Sequence, residues 1–223
     1  MIMSRITLRR SLSALREVSN TALANPYYHH RLIWKLFSRS PQQPRDFLFR
    51  IDHHANWLQY YVVSEHPPDA AGNSWEVVTK SYTPALKESM RLRFLLTANP
   101  VTTTTDDNGR RHRNDVVRHA LRRHRDKKRA ALRSDLTTNE GHAWLKRKGE
   151  KNGFSFTRDE VVVSGYRQLR FQKTRNAGTV QISTLDFRGT LLVRSPERFL
   201  RMLFTGLGPA KAFGCGLMLV KPA

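Results

Sequence analysis

The chain has 223 residues and carries 39 Lys and Arg against 18 Asp and Glu, a formal net charge of +21. That length suits one large domain or two of roughly 110 residues each. A compact protein this basic repels itself unless an anion neutralises it, so RNA, DNA or an anionic membrane leads the partner classes. No run reaches about 18 apolar residues, so no membrane-spanning helix is expected. The segment MIMSRITLRRSL lacks the apolar stretch and small-residue site of a signal peptide. The single cysteine, Cys215, excludes an internal disulfide framework and any zinc site built on paired cysteines. A reducing cytoplasm is the expected location. The nine histidines show no HExxH or comparable spacing, so neither a metal nor another cofactor is expected.

Residues 2–10 alternate, with Ile2, Ile6 and Leu8 on one face, and predict a strand. Asn25-Pro26 then opens a helix to about Phe37, because Asn caps well and Pro tolerates the first helical position. Residues 45–52 and 56–65 alternate on either side of a short turn and predict a hairpin. Residues 74–88 read as a weak helix or loop, and 91–98 (RLRFLLTA) as a strand ended by Asn99-Pro100. Strand, helix, strand, strand and a further strand is the split βαβ order of a ferredoxin-like domain.

Residues 101–112 read as a linker or loop. Residues 110–133 hold 11 Lys or Arg and two Asp, a balance of 11 − 2 = +9, and predict a basic, mostly helical segment. A second helix is expected over 139–152, stopped by Gly153. Strands follow at 160–173 and 179–193 around a 174–178 turn. Val180 and Ile182 are out of phase with Leu185 and Phe187, which predicts a bulge. Ser195-Pro196 starts a helix to about Phe204, a glycine-rich loop spans 206–216, and 217–221 is the last strand. The expected fold is α+β: two tandem ferredoxin-like (RRM-like) domains, 1–99 and 100–223.

Two segments have the residue types for chemistry. On a helical wheel of 26–37, Leu32, Ile33, Leu36 and Phe37 form the buried arc and His29 falls inside it. His30 falls at its edge beside Trp34, and Tyr27, Arg31 and Lys35 follow outward. Tyr27 and His30 are i and i+3, so their side chains meet, in a first turn that favours anions. Such a set suits RNA cleavage by its own 2′-hydroxyl. One proton must be removed and another delivered, and the phosphorane charge must be met. A histidine with a pKa near 6.5 does either proton job. The same pattern also describes an amphipathic helix with packed histidines and solvated cations. The second segment, GLGPAKAFGCG, has four glycines in 11 residues. Glycine lets backbone approach a ligand, and its N–H groups cradle phosphate; a tight helix-to-strand turn explains it equally well. It is neither a P-loop nor a Rossmann fingerprint.

GLGPAKAFGCGLMLV resembles the C-terminal signature of the CasE endoribonucleases, a branch of the CRISPR-associated RAMP superfamily found in type I-E Cascade. ANPYYHHRLIWKLF resembles that family's active-site helix. RDFLFR and RLRFLLTANP resemble its second strand and the strand closing its first domain. The resemblance implies a metal-independent enzyme that cuts CRISPR repeat RNA at the 3′ base of its stem-loop. The products are a 2′,3′-cyclic phosphate and a 5′-hydroxyl. It also implies that the crRNA hairpin is kept and that the other Cascade subunits are partners. On this pattern His30, Tyr27 and Lys35 are catalytic, with the acid and base unassigned between Tyr27 and His30. His29 next door either substitutes for His30 or packs. RNA contacts are expected from Arg31, from Arg167, Arg170, Lys173 and Arg175 around the hairpin, and from Gly206, Gly208, Lys211 and Gly214. The 110–133 segment is longer and more basic than is usual in the family, and is expected either to add phosphate contacts or to be a disordered loop. A non-catalytic RNA-hairpin-binding RAMP subunit and a basic DNA-packaging protein are the competing functions.

Overall fold

A computed structural model describes residues 1–9, 11, 25–37, 44–54, 57–69, 74–123, 129–173 and 178–223. Arg175 and most of its predicted turn lie outside them. The first sheet runs in the order β2 (Phe47–His54), β3 (Trp57–Ser64), β1 (Ile2–Leu8), β4 (Trp75–Ser81). Every pair is antiparallel, with Ile6 opposite Tyr60 on one side and Val77 on the other. Helix α1 (Pro26–Phe37) crosses between β1 and β2 and covers one face. Its Leu32, Ile33, Leu36 and Phe37 pack with Ile6, Phe49, Tyr60, Val62 and Trp75.

The second sheet runs β11 (Met218–Pro222), β5 (Arg91–Ala98), β10 (Thr179–Val193), and β10 also pairs with β9 (Val161–Gln172) and the short β8 (Phe154–Ser155). Helices α3 (Arg129–Asn152) and α4 (Pro196–Thr205) cover it. Trp144, Leu145, Phe199 and Leu203 are buried there against Phe94, Leu96, Phe187 and Leu191. Both sheets thus have the ferredoxin-like order, fourth strand, first, third, second, and the fold is α+β as expected.

The sheets divide at a different place from the expected one. The strand over 91–98, read as closing the first domain, is the central strand of the second sheet, between β10 and β11. The fourth strand of the first sheet is β4, within the stretch read as weak helix or loop. Trp75 is buried opposite Leu8, but most of β4 lies exposed, so its alternation is weak in the sequence. The two candidates have the same place in the strand count, and the stronger pattern belongs to the strand buried in the other domain.

Residues 101–112 also form more than a linker. β6 (Val101–Thr105) and β7 (Arg111–Asp115) pair as a hairpin closed by Asp106 and Gly109, and α2 (Val116–Arg123) follows. Asp115 caps α2, its carboxylate accepting from the Arg118 N–H at 2.7 Å. Helix α3 begins ten residues earlier than the apolar pattern indicated. The predicted irregularity in β10 is present, as a register shift between Thr184 and Asp186.

The uncovered face of the first sheet meets the second domain. Leu48 and Val63 pack there with Tyr82 and Leu217, flanked by Phe204 and Leu219. Strand β2 is therefore apolar on both sides: Phe47 and Phe49 point to α1 and Leu48 to the seam. Leu48→Ala is expected to cost about 2–5 kcal/mol, and denaturant unfolding of both domains checks it. A change confined to one domain's signal would mean that the seam does not couple them.

Candidate active site

Four elements converge on the N-terminal turns of α1. The helix starts where it does because Asn25 caps it: its side-chain oxygen accepts from the Tyr27 N–H at 2.9 Å and its carbonyl from the Tyr28 N–H at 2.9 Å. The Asn25 side-chain amide donates in turn to the Gln172 carbonyl at the end of β9. Phe171, beside Gln172, stands edge-on to Phe213 of the glycine loop with ring centroids 4.9 Å apart. These contacts hold the β9 end, the glycine loop and the helix start together.

The wheel separates the two histidines correctly. His29 is buried, 2% exposed, and its Nδ1 lies 2.7 Å from the Tyr60 hydroxyl. His30 lies at the edge, between Tyr27 (ring centroids 6.0 Å apart) and Trp34 (5.6 Å). Its Nδ1 is buried without a hydrogen-bond partner. Burial lowers the His30 pKa below its ordinary 6.5, and the positive charges of Arg45 and then Lys173 lower it further. The imidazole is therefore neutral at pH 7.

Arg45 is the functional candidate that the sequence reading missed. It opens the 45–52 stretch read as a strand but precedes β2 itself, and Phe47, packed at tilted angles between Trp34 and Phe49, fixes the chain beside it. The guanidinium is itself partly desolvated, which lowers its pKa. Lys211 is close enough for Arg45 to depress its pKa after burial does, and its ammonium donates to the Thr205 carbonyl at 2.5 Å. Lys35 does not join this group. It is exposed in the last turn of α1, five residues and so about 140° around the helix from His30. Arg31 is likewise exposed on the helix.

The hairpin cations are not brought together as one set. Arg167 pairs with Asp186 at 2.9 Å, and Asp186 also accepts from Thr97, which is bonded to Arg50 of β2. Arg167 is thus tied into a polar network between the domains. Strand alternation puts Arg167, Leu169 and Phe171 on the face toward the glycine loop, and Gln168 and Arg170 on the opposite one. Lys173 belongs with the first face and acts on His30.

The glycines of the loop serve packing. Gly206, Gly208, Gly214 and Gly216 all have φ between 77° and 93°, where other residues are strained. A Cβ at Gly206 would meet Leu48, and one at Gly214 would meet Ile51 and Phe49. The loop therefore closes the seam against β2, with Gly214 buried. Cys215 beneath it is buried, which pushes its thiol up to about 12. One group of metal-ligand types exists among the described residues: Asp46, Glu65 and His66, with ligand atoms within 4.8 Å of one another.

Residues 1–222 match the family described as CRISPR associated protein. The chain belongs to that family. It is 34% identical over 221 residues to the CRISPR-associated endoribonuclease Cse3 of Thermus thermophilus, covering 90% of this chain and 92% of the relative. It is 27% identical over 198 residues to the Cascade subunit CasE of Escherichia coli, covering 88% and 92%. A solved structure of Cse3 bound to a 19-nucleotide RNA superposes with a TM-score of 0.70 at 30% identity, over 99% of each chain. A Thermus thermophilus Cse3 structure with RNA representing a pre-cleavage complex gives 0.70 at 28%, over 99% of this chain and 98% of that one. The resemblance to the CasE branch read from the sequence is thereby borne out.

The two histidines should separate by experiment. His29→Ala removes a partner from the buried Tyr60 hydroxyl and is expected to cost about 1–3 kcal/mol of stability. His30→Ala breaks no hydrogen bond at Nδ1 and should leave the melting temperature within a degree or two while abolishing RNA cleavage. Equal destabilisation by both would contradict the division.

Proposed function

We propose that this protein is the endoribonuclease of a CRISPR system, cutting repeat RNA at the 3′ base of its stem-loop without a metal and keeping the hairpin as a Cascade subunit. One observation carries the reading. His30, its Nδ1 buried and unpartnered, packs against the Tyr27 ring within the electrostatic reach of two cations from other elements, Arg45 and Lys173.

In the reaction the 2′-oxygen attacks the adjacent phosphorus and the bond to the 5′-oxygen breaks. The proton leaving the 2′-hydroxyl is matched by one gained at the 5′-oxygen, so cyclic phosphate and 5′-hydroxyl form with no net proton change. Neutral His30 is in the form that accepts the first proton. Tyr27, one turn earlier, positions the reacting oxygens and offers its hydroxyl as the second proton-handling group. We assign the phosphorane charge to Arg45 and Lys173 rather than to Lys35, because these two act electrostatically on His30 while Lys35 is exposed about 140° around the helix from it. Lys211 adds charge beside Arg45. Arg31 and the exposed end of the β9–β10 ribbon hold the stem through its phosphates, since the A-form major groove is closed to side chains.

Incubating the purified protein with repeat RNA from its own locus in excess EDTA tests the reading. One cut at the 3′ side of the stem, leaving a cyclic phosphate, is expected. Tight binding without a cut would make the protein a non-catalytic binding subunit. Cleavage lost in EDTA and restored by a divalent ion would overturn metal independence and point to Asp46, Glu65 and His66.

The depressed His30 pKa predicts where the pH profile bends. As a base His30 works above its pKa, so kcat/KM should fall only as pH drops below 6.5. A bound phosphate offsets the two cations and raises the pKa, so the bend in kcat should lie above that in kcat/KM. Arg45→Gln should move the kcat/KM bend upward and slow cleavage by roughly 10²-fold. Activity falling toward alkaline pH instead would make His30 the acid.

A further inference from the structure

On the side of the β9–β10 ribbon away from the catalytic cluster lies a half-enclosed cavity of about 340 Å³. Arg113 of β7 and Arg118 of α2 line it with the side-chain amides of Gln168 and Gln181 and with Val101 and Pro209. Neither guanidinium has a carboxylate partner among the described residues. Asp115, the acid between them, already accepts from the Arg118 N–H and from the Tyr166 hydroxyl, at 3.0 Å. Gln168 is fixed by donating to that same hydroxyl at 2.9 Å. Arg170, exposed and opposite Gln181 in the register, extends the charge along the same face.

From these residues we infer a second RNA site that takes one unpaired nucleotide flanking the stem-loop. Two free guanidiniums suit a phosphate. Two amides, each with donor and acceptor, suit a base edge, and Val101 and Pro209 offer an apolar surface to its face. A stacked base pair does not fit a cavity of this size, whereas a splayed single nucleotide does. Among the described residues β9 pairs with no strand but β10, and side chains reach its outer edge only at its two ends, His142 at Val161 and Asn25 at Gln172. An RNA whose stem lies on the Lys173 side reaches Arg113 and Arg118 by passing that edge. The β6–β7 hairpin and α2 thus add specificity for sequence next to the stem.

The site rests on the proposed function only in taking repeat RNA as the ligand. The test compares two RNAs from the same locus, a repeat stem-loop with its flanking unpaired nucleotides and the same stem-loop trimmed blunt, in a His30→Ala background that cannot consume them. The flanked RNA is expected to bind roughly tenfold tighter. Arg113→Ala with Arg118→Ala should abolish that preference and lower the salt slope for flanked RNA by about 0.7, the share of one single-strand phosphate. Gln168→Glu, a near-isosteric change that adds negative charge, should weaken only the flanked RNA, guarding against a folding defect. Equal affinity of the parent for both RNAs, equal loss on both in the variants, or no binding of either RNA overturns the site. Normal cutting by the unmodified protein with no flank preference sinks this inference alone. A flank preference without cutting sinks only the catalytic reading.

Discussion

Strand β2 is packed on both faces, and most of the active-site geometry depends on this. Phe47 and Phe49 hold α1 on one side while Leu48 holds the second domain on the other. A strand fixed from both sides has no freedom to slide, because a one-residue slip would turn Leu48 into the α1 core and Phe49 into the seam. Arg45 precedes β2 by two residues and inherits that rigidity. Arg50, further along, reaches across to Thr97. The strand thus sets the first domain's cation beside His30 and also fixes how the domains meet.

The glycine loop serves the same seam. Its positive-φ glycines let the chain leave α4 and enter β11 while lying flat on Leu48, Phe49 and Ile51. The 3-10 turn Lys211–Phe213 within it then presents Phe213 to Phe171 and Lys211 toward Arg45. A loop with side chains at Gly206 and Gly214 would be pushed away from β2, and the end of β9 would lose its support. The glycines of this motif contribute close backbone approach, and Lys211 and Phe213 contribute the side chains. A glycine-rich stretch reads alike in either role because both require close approach.

The sequence was most legible where a local rule acts alone. Asn25-Pro26 marked the start of α1, and the wheel put His29 inside and His30 at the edge, because burial of a single helix face leaves a clear period. It misled where a weak pattern stood beside a strong one, because 75–81 is mostly exposed and alternates poorly. Residues 75–81 and 91–98 are both strands, and choosing between them as the fourth strand of the first sheet depends on long-range pairing that alternation does not encode. Arg45 carried no signal because the alternation of 45–52 rests on Phe47, Phe49 and Ile51, and what a cation just ahead of them faces is decided by tertiary packing. Arg167, Arg170 and Lys173 looked like one basic set because charge composition ignores which face a residue occupies. The pairing of Arg167 with Asp186 is a contact between strands that no spacing in β9 announces.

The charge of +21 takes on a more specific meaning once these residues are placed. Arg45, Lys173 and Lys211 come from three separate elements and repel one another and a protonated His30. Folding therefore assembles a site that is electrostatically unfavourable while empty. A phosphodiester entering it offsets part of that positive field, relieving some of the repulsion and raising the proton affinity of the imidazole at the same moment. In the mechanism we propose, proton transfer is then coupled to the presence of substrate: the histidine stays neutral in the free protein and gains basicity where a 2′-hydroxyl is in place.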